Sequence, residues 1–179
     1  LRNKNLSKMN IVSKLNPTAF ENASPTEWKR IAVHCAEESI NRLGVQKLTA
    51  YLFHNAAMIY DAKAVEALDY VREQGLTESI GVSVYNPDEA MKALEYENIT
   101  AIQIPYNVFD QRLDKCGFFE KAKEREVNVF ARSSLLQGLV MMDPGKLPAK
   151  VSFASDYLKK FLEICNHYDC NPLKAVVGY

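Results

Sequence analysis

Along the chain, short runs of nearly unbroken apolar residues alternate with segments whose apolar positions recur every three or four residues. The short runs predict five strands: Asn10–Lys14, Leu48–His54, Ser79–Val84, Ala101–Tyr106 and Asn128–Ser133. They are apolar almost throughout rather than alternating, which fits strands covered on both faces. The longer segments predict helices with marked ends. Ser24-Pro25-Thr26-Glu27 offers an N-cap serine, a proline at the first helical position and a capping-box glutamate. Trp28, Ile31, Ala32, Cys35, Ile40 and Leu43 follow as an apolar stripe, and Gly44 closes it. A second helix runs from about Ala62 through Val65, Leu68 and Val71 and stops at Gly75. Asn86-Pro87-Asp88-Glu89 repeats the opening device and starts a helix through Leu94. Phe118 to Arg125 is a shorter helical stretch, and Phe153, Tyr157, Phe161, Ile164, Cys165 and Tyr168 form a further stripe. Asn171-Pro172 opens one more helix.

Strand–helix alternation of this kind implies parallel βαβ units with right-handed crossovers. With 179 residues the chain is long enough for one domain, residues 1–179, with a substantial core. Five such strands leave Asn10–Lys14 and Asn128–Ser133 as bare edges, and a full (β/α)8 barrel takes about 250 residues. The chain also does not begin with Met. The expectation is therefore an α/β fold, a partial (β/α)8 barrel cut at both ends. The alternative is a complete five-stranded doubly wound, flavodoxin-like sheet, in which residues 10–14 would be a central strand rather than an edge. The longest irregular piece runs from Gln137 to Ser152 with Pro144, Gly145 and Pro148, a length at which loops are often functional.

Composition narrows the function classes. Lys plus Arg and Asp plus Glu are 22 each, so the net charge is zero, which argues against nucleic acid or an anionic membrane as partner. No apolar run approaches the roughly 18–20 residues of a membrane span. The stretch Leu1 to Met9 is polar and basic, unlike a secretory signal. Cys35, Cys116, Cys165 and Cys170 show no metal-ligand spacing, so no metal site is expected; free thiols in a reduced, cytoplasmic setting are the natural reading.

In α/β sheets and barrels, reactive groups gather at the carboxyl ends of the strands. Lys14, His54, Ser83, the Gln103–Asn107 stretch and Arg132 with the Ser133–Gly138 turn stand there. Lys14 is either a solvated strand end or a cation placed to stabilise an anion. Alternation puts Ala50, Leu52 and His54 on one side, so the imidazole points with the inner residues of a barrel. A lysine and a histidine ending consecutive strands speak for chemistry over chance. Asp61, Asp88, Glu89, Asp110 and Asp114 lie in loops or at helix starts, where capping is their natural work. His34 and His167 fall on helices as structural or surface groups. Paired carboxylates for glycoside hydrolysis, GxSxG, a P-loop and HExxH are all missing from the sequence.

Val12-Ser13-Lys14, Leu52-Phe53-His54-Asn55, Ile80-Gly81-Val82-Ser83, Ile102-Gln103-Ile104-Pro105-Tyr106-Asn107 and Ala131-Arg132-Ser133-Ser134-Leu135-Leu136-Gln137-Gly138 resemble aldo-keto reductases in order and spacing. The resemblance runs over essentially the whole chain. It implies strands three to seven of a (β/α)8 barrel that binds NADPH or NADH without a Rossmann fold, consistent with the lack of GxGxxG. The implied reaction is hydride transfer between that cofactor and a small aldehyde or ketone. By the resemblance, Lys14 is the catalytic lysine and His54 the catalytic histidine. Ser83 and Gln103 contact the nicotinamide carboxamide, although Val84 replaces the asparagine that usually follows the serine. Arg132 stands where many members carry a tyrosine stacked on the nicotinamide, and a planar guanidinium also stacks. Ser133, Leu135, Gln137 and Gly138 belong to the turn that meets the pyrophosphate. The family's tyrosine acid and its aspartate lie upstream of the lysine. None of the thirteen residues before Lys14 is Asp or Tyr, so this chain is expected to be inactive alone. The other reading is a regulatory protein of the same fold that binds nicotinamide without turnover; Lys14 and His54 together favour the enzyme.

Overall fold

The computed structural model describes residues 9–179, so the basic stretch before Met9 lies outside the described residues. The chain alternates β1 (Val12–Leu15), α1 (Trp28–Leu43), β2 (Leu48–Phe53), α2 (Ala62–Glu73), β3 (Thr77–Ser83), α3 (Pro87–Ala93), β4 (Ile99–Pro105), α4 (Phe118–Glu124) and β5 (Asn128–Arg132). Helices α5 (Ser155–His167) and α6 (Pro172–Gly178) follow. The strands form one sheet in the order β1-β2-β3-β4-β5, and β1 with β2, β2 with β3 and β3 with β4 pair in parallel. Each strand is laid beside the one before it, and β1 is an edge. A doubly wound sheet reverses direction around a central first strand; that alternative is excluded.

The described residues fall into two compact units. The first comprises the chain up to Ile104 together with Arg112–Phe130. Here the inner strands β2, β3 and β4 are largely buried on both faces, whereas β1 and β5 stay partly exposed. Ala50, Leu52 and Ala101 cluster with Val12 and Phe130 on one side, while Tyr51, Phe53, Ile80 and Val82 alternate with them and are almost fully buried. Burying a large apolar side chain is worth about 1.5–3 kcal/mol, so a two-sided strand contributes at nearly every position. α1 buries Ala32, Ala36 and Ile40, and α2 buries Ala64, Val65, Ala67, Leu68 and Val71. These small and β-branched faces let the helices lie close to the sheet.

The helix ends follow local chemistry. Gly44 closes α1 at φ 67°, a left-handed conformation that costs glycine little. Asp61 caps α2 by accepting from the N–H groups of Lys63 and Ala64. At α3 both arms of the capping box form, Asn86 and Glu89 each serving the other's backbone N–H. α1 departs from expectation: it begins at Trp28, and Ser24–Glu27 forms a preceding turn. The Glu27 carboxylate still accepts from Ser24 N–H and Oγ–H, both at 3.1 Å, and these bonds hold its carboxyl below the usual range. Trp28 stacks on Phe20, with ring centroids 4.8 Å apart.

The second unit comprises Pro105–Gln111 and Ala131–Tyr179. Its core joins Val140, Leu158, Phe161, Cys165 and Val176. The apolar stripe expected on α5 is therefore corrected. Phe161 and Cys165 turn inward with Leu158, whereas Phe153, Tyr157, Ile164 and Tyr168 remain exposed. Leu158, Phe161 and Cys165 lie three and four residues apart and define the buried face by themselves. The 137–152 segment is not structureless, since short 3-10 turns occupy Leu136–Met141, Pro144–Lys146 and Ala149–Ala154. Asn171 caps α6 through the N–H groups of Leu173 and Lys174. No helix among the described residues is long and apolar enough to cross a membrane.

Candidate active site

The chemistry of the first unit is built on strand register. Lys14 sits opposite Leu52 across β1 and β2, Leu52 opposite Gly81, Gly81 opposite Ala101, and Ser83 opposite Gln103. Side chains two residues apart share a face. Lys14, Ser83 and Gln103 are thus carried on the face that also bears Ala50, Leu52 and Ala101, at the carboxyl ends of their strands.

Gln103 is the junction. Lys14 Nζ donates to Gln103 Oε1 at 2.6 Å, and Ser83 Oγ donates to the same oxygen at 3.1 Å. An ammonium can only donate, so the Gln103 atom facing it must be the carbonyl oxygen. That assignment turns the Gln103 NH2 group, with its two donors, away from the lysine. Ser83 is buried, Lys14 half-buried.

Gly81 makes this approach feasible. A Cβ on Gly81 would overlap the carbonyl of Ala101 and press on Leu52. The β3–β4 register shifts between Ile80 and Gly81, and glycine commonly marks such a bulge or close backbone contact. The irregularity precedes the Ser83–Gln103 pair by two residues.

His54 immediately follows β2, two residues beyond Leu52 and on its side of the strand by alternation. Its ring is exposed, lining a small cleft with Asn16, Pro17, Asn55 and Met58. Asn55 is engaged locally, its side chain accepting from Ala57 N–H at 3.1 Å.

The remaining sequence candidates lie in the second unit, in one strained turn. Ser133, Leu136, Gln137 and Gly138 adopt φ values of 63°, 48°, 57° and 90°. Left-handed backbone at non-glycine residues costs about 1–3 kcal/mol each and tends to gather at binding sites. Leu136 N–H to Ser133 O at 3.0 Å and Gly138 N–H to Leu135 O at 2.8 Å hold the shape. Arg132 Nη1 donates to Ser133 Oγ at 3.4 Å.

Against known proteins, the model of the Aldo/keto reductase family matches residues 2–179. The chain belongs to that family. It is 29% identical over 136 residues to an aldo-keto reductase of Gibberella moniliformis, covering 76% of this chain and 42% of that protein. Among solved structures, the holo form of aldo-keto reductase AKR11C1 from Bacillus halodurans matches with TM-score 0.63 and 22% identity, over 80% of this chain and 48% of that one. An aldo/keto reductase from Klebsiella pneumoniae, in complex with NADP and acetate, matches with TM-score 0.60 and 19% identity, over 93% and 53%. The chain spans about two fifths of the length of the curated relatives it matches, and about half that of these structures. The five-strand parallel sheet is accordingly part of an α/β barrel.

Two participants escape a reading of the sequence alone. The Lys14–Gln103 contact joins strands that are not neighbours in the sheet, and no local pattern announces it. Gly81 was visible only as one letter of a strand; its signal was a glycine inside an otherwise apolar run.

Proposed function

We propose that this chain carries part of the active site of a nicotinamide-dependent carbonyl reductase, working on a small aldehyde or ketone. The observation that carries the proposal is the Gln103 oxygen shared by Lys14 and Ser83. A primary carboxamide offers one acceptor and two donor hydrogens. Gln103, with its oxygen occupied, presents N–H donors; Ser83, having donated its proton, presents lone pairs. The pair is complementary to the nicotinamide carboxamide, so the residues present fit NADPH or NADH. When bound, that group supplies the hydride.

The chain's own residues supply position and charge. Lys14 places a cation where negative charge grows on the substrate oxygen. His54, at the exposed rim, orients that oxygen by hydrogen bonding. In the second unit, Arg132 and the strained turn with Ser133, Leu135, Gln137 and Gly138 are the further candidates for cofactor contact.

Reduction also needs a proton for the alkoxide oxygen. None of the thirteen residues before Lys14 is Tyr or Asp. The 179-residue chain alone should therefore bind the cofactor yet leave a reactive aldehyde unreduced. The test is NADPH consumption with such an aldehyde beside a binding titration. Robust turnover by this chain would overturn the assigned division of labour.

A further inference from the structure

The closure at the end of α5 joins two cysteines through the backbone, and the Cys170 thiol lies 3.6 Å from Asn171 O. Cys170 N–H bonds to Cys165 O at 2.8 Å, and Asp169 N–H to Asn166 O at 3.2 Å. Asp169 between them is left-handed, with φ 47°. These two bonds around a left-handed residue are the Schellman closure of a helix. It folds the sixth residue back over the first and usually sets those two side chains in apolar contact. Here both residues are cysteines. Cys165 is 3% exposed, packed with Val140, Leu158, Phe161 and Val176, while Cys170 is exposed. A second observation agrees with the geometry: burial pushes the Cys165 thiol up, and the nearby Cys170 adds to the rise. Asn171, next in sequence, caps α6, so the pair sits at the α5–α6 corner.

We propose that Cys165 and Cys170 are a redox-modification site that closes reversibly to a disulfide by exchange with a low-molecular-weight disulfide such as oxidised glutathione. The exposed Cys170 thiolate attacks one sulfur of the reagent, forming a mixed disulfide and releasing one thiolate. The Cys165 thiolate then attacks the Cys170 sulfur and displaces the second. The protein loses two electrons, the reagent gains them, and the protons of the two cysteines pass to the two released thiolates. Burial of Cys165 makes the second step the slower one at neutral pH, and it accelerates as pH rises.

The experiment uses the full 179-residue chain, reduced and then exposed to oxidised glutathione with and without urea. After acid quenching and trypsin digestion, mass spectrometry reads the peptide 161–174, which holds both cysteines. The readout is the ratio of internal disulfide, lighter by about 2 Da, to glutathione adduct on that peptide. A fold-positioned pair gives a ratio at least about tenfold higher in the native chain than in urea, by its greater effective concentration. Cys170→Ser abolishes the internal bond and leaves Cys165 unmodified in the native chain. A native ratio equal to or below that in urea, or a glutathione adduct that persists on native Cys170, would overturn the proposal.

Discussion

Lys14 Nζ lies 2.6 Å from Gln103 Oε1, although 89 positions separate the two residues in the chain. The contact fixes the orientation of the Gln103 amide, which in turn decides what Ser83 and Gln103 can offer a ligand. A cation reaching from β1 to β4 also ties the sheet edge to its interior. Gln103→Leu removes the acceptor from a half-buried ammonium and a buried hydroxyl. It should lower stability by about 1–3 kcal/mol, read as a shift in urea midpoint at unchanged slope. An unchanged midpoint would mean that the contact carries no energy.

Gly81→Ala is expected to be more damaging than an alanine at most strand positions. The added methyl meets the Ala101 backbone carbonyl, which cannot rotate aside as a side chain could. Overpacking of this kind costs about 1–3 kcal/mol or more. The β3–β4 bulge would have to open, so Ser83 and Gln103 should separate. Loss of stability by thermal melting, together with weaker NADPH binding, checks both consequences.

Arg125 is a helix-end device that the sequence did not disclose. Its Nη1 donates to Leu94 O and its Nη2 to Tyr96 O at 2.8 Å, serving carbonyls at and beyond the end of α3. Hydrogen bonds from a charged donor are worth about 1.5–3 kcal/mol. Arg125→Met keeps much of the apolar stem and removes the donors. It should destabilise the chain within that range, again by urea titration.

Asp69 gives the stability a pH dependence. Burial pushes its carboxyl up, but hydrogen bonds from Arg72, at 2.7 Å, and Asn98 outweigh it, and the net position is below the usual range. A carboxyl depressed in the folded state contributes stability that is fully present above its unfolded value, about pH 4, and is lost as pH falls through the folded one. Asp69→Asn should therefore lower stability at pH 7 and flatten its decline below about pH 4. Urea midpoints measured across that interval decide it; parallel profiles for both chains would contradict the assignment.

How much the sequence discloses depends on whether a signal is local. The Asn86–Glu89 capping box, the Gly44 stop and the five strands are written in a few adjacent residues and stand where the pattern puts them. The start of α1 moved to Trp28 because Ser24–Glu27 satisfies itself as a turn. The inward face of α5 is not legible locally because Phe153, Tyr157, Ile164 and Tyr168 are apolar and in phase, and only the position of Val140 and Val176 reveals which side is covered. The site shows the same division. Strand ends name Lys14, His54, Ser83 and Gln103, but that Gln103 joins two of the others depends on the bulge at Gly81 and on a reach across two intervening strands.

Ser83 and Gln103 are proposed to bind a carboxamide as a pair. The most direct measurement is NMR of the 179-residue chain during NADPH titration, following the Gln103 side-chain amide and the Ser83 backbone signals. Both signals are expected to move together and saturate, and Gln103→Leu to abolish the response at Ser83. A titration in which neither signal moves, whether NADPH binds elsewhere or not at all, would contradict it.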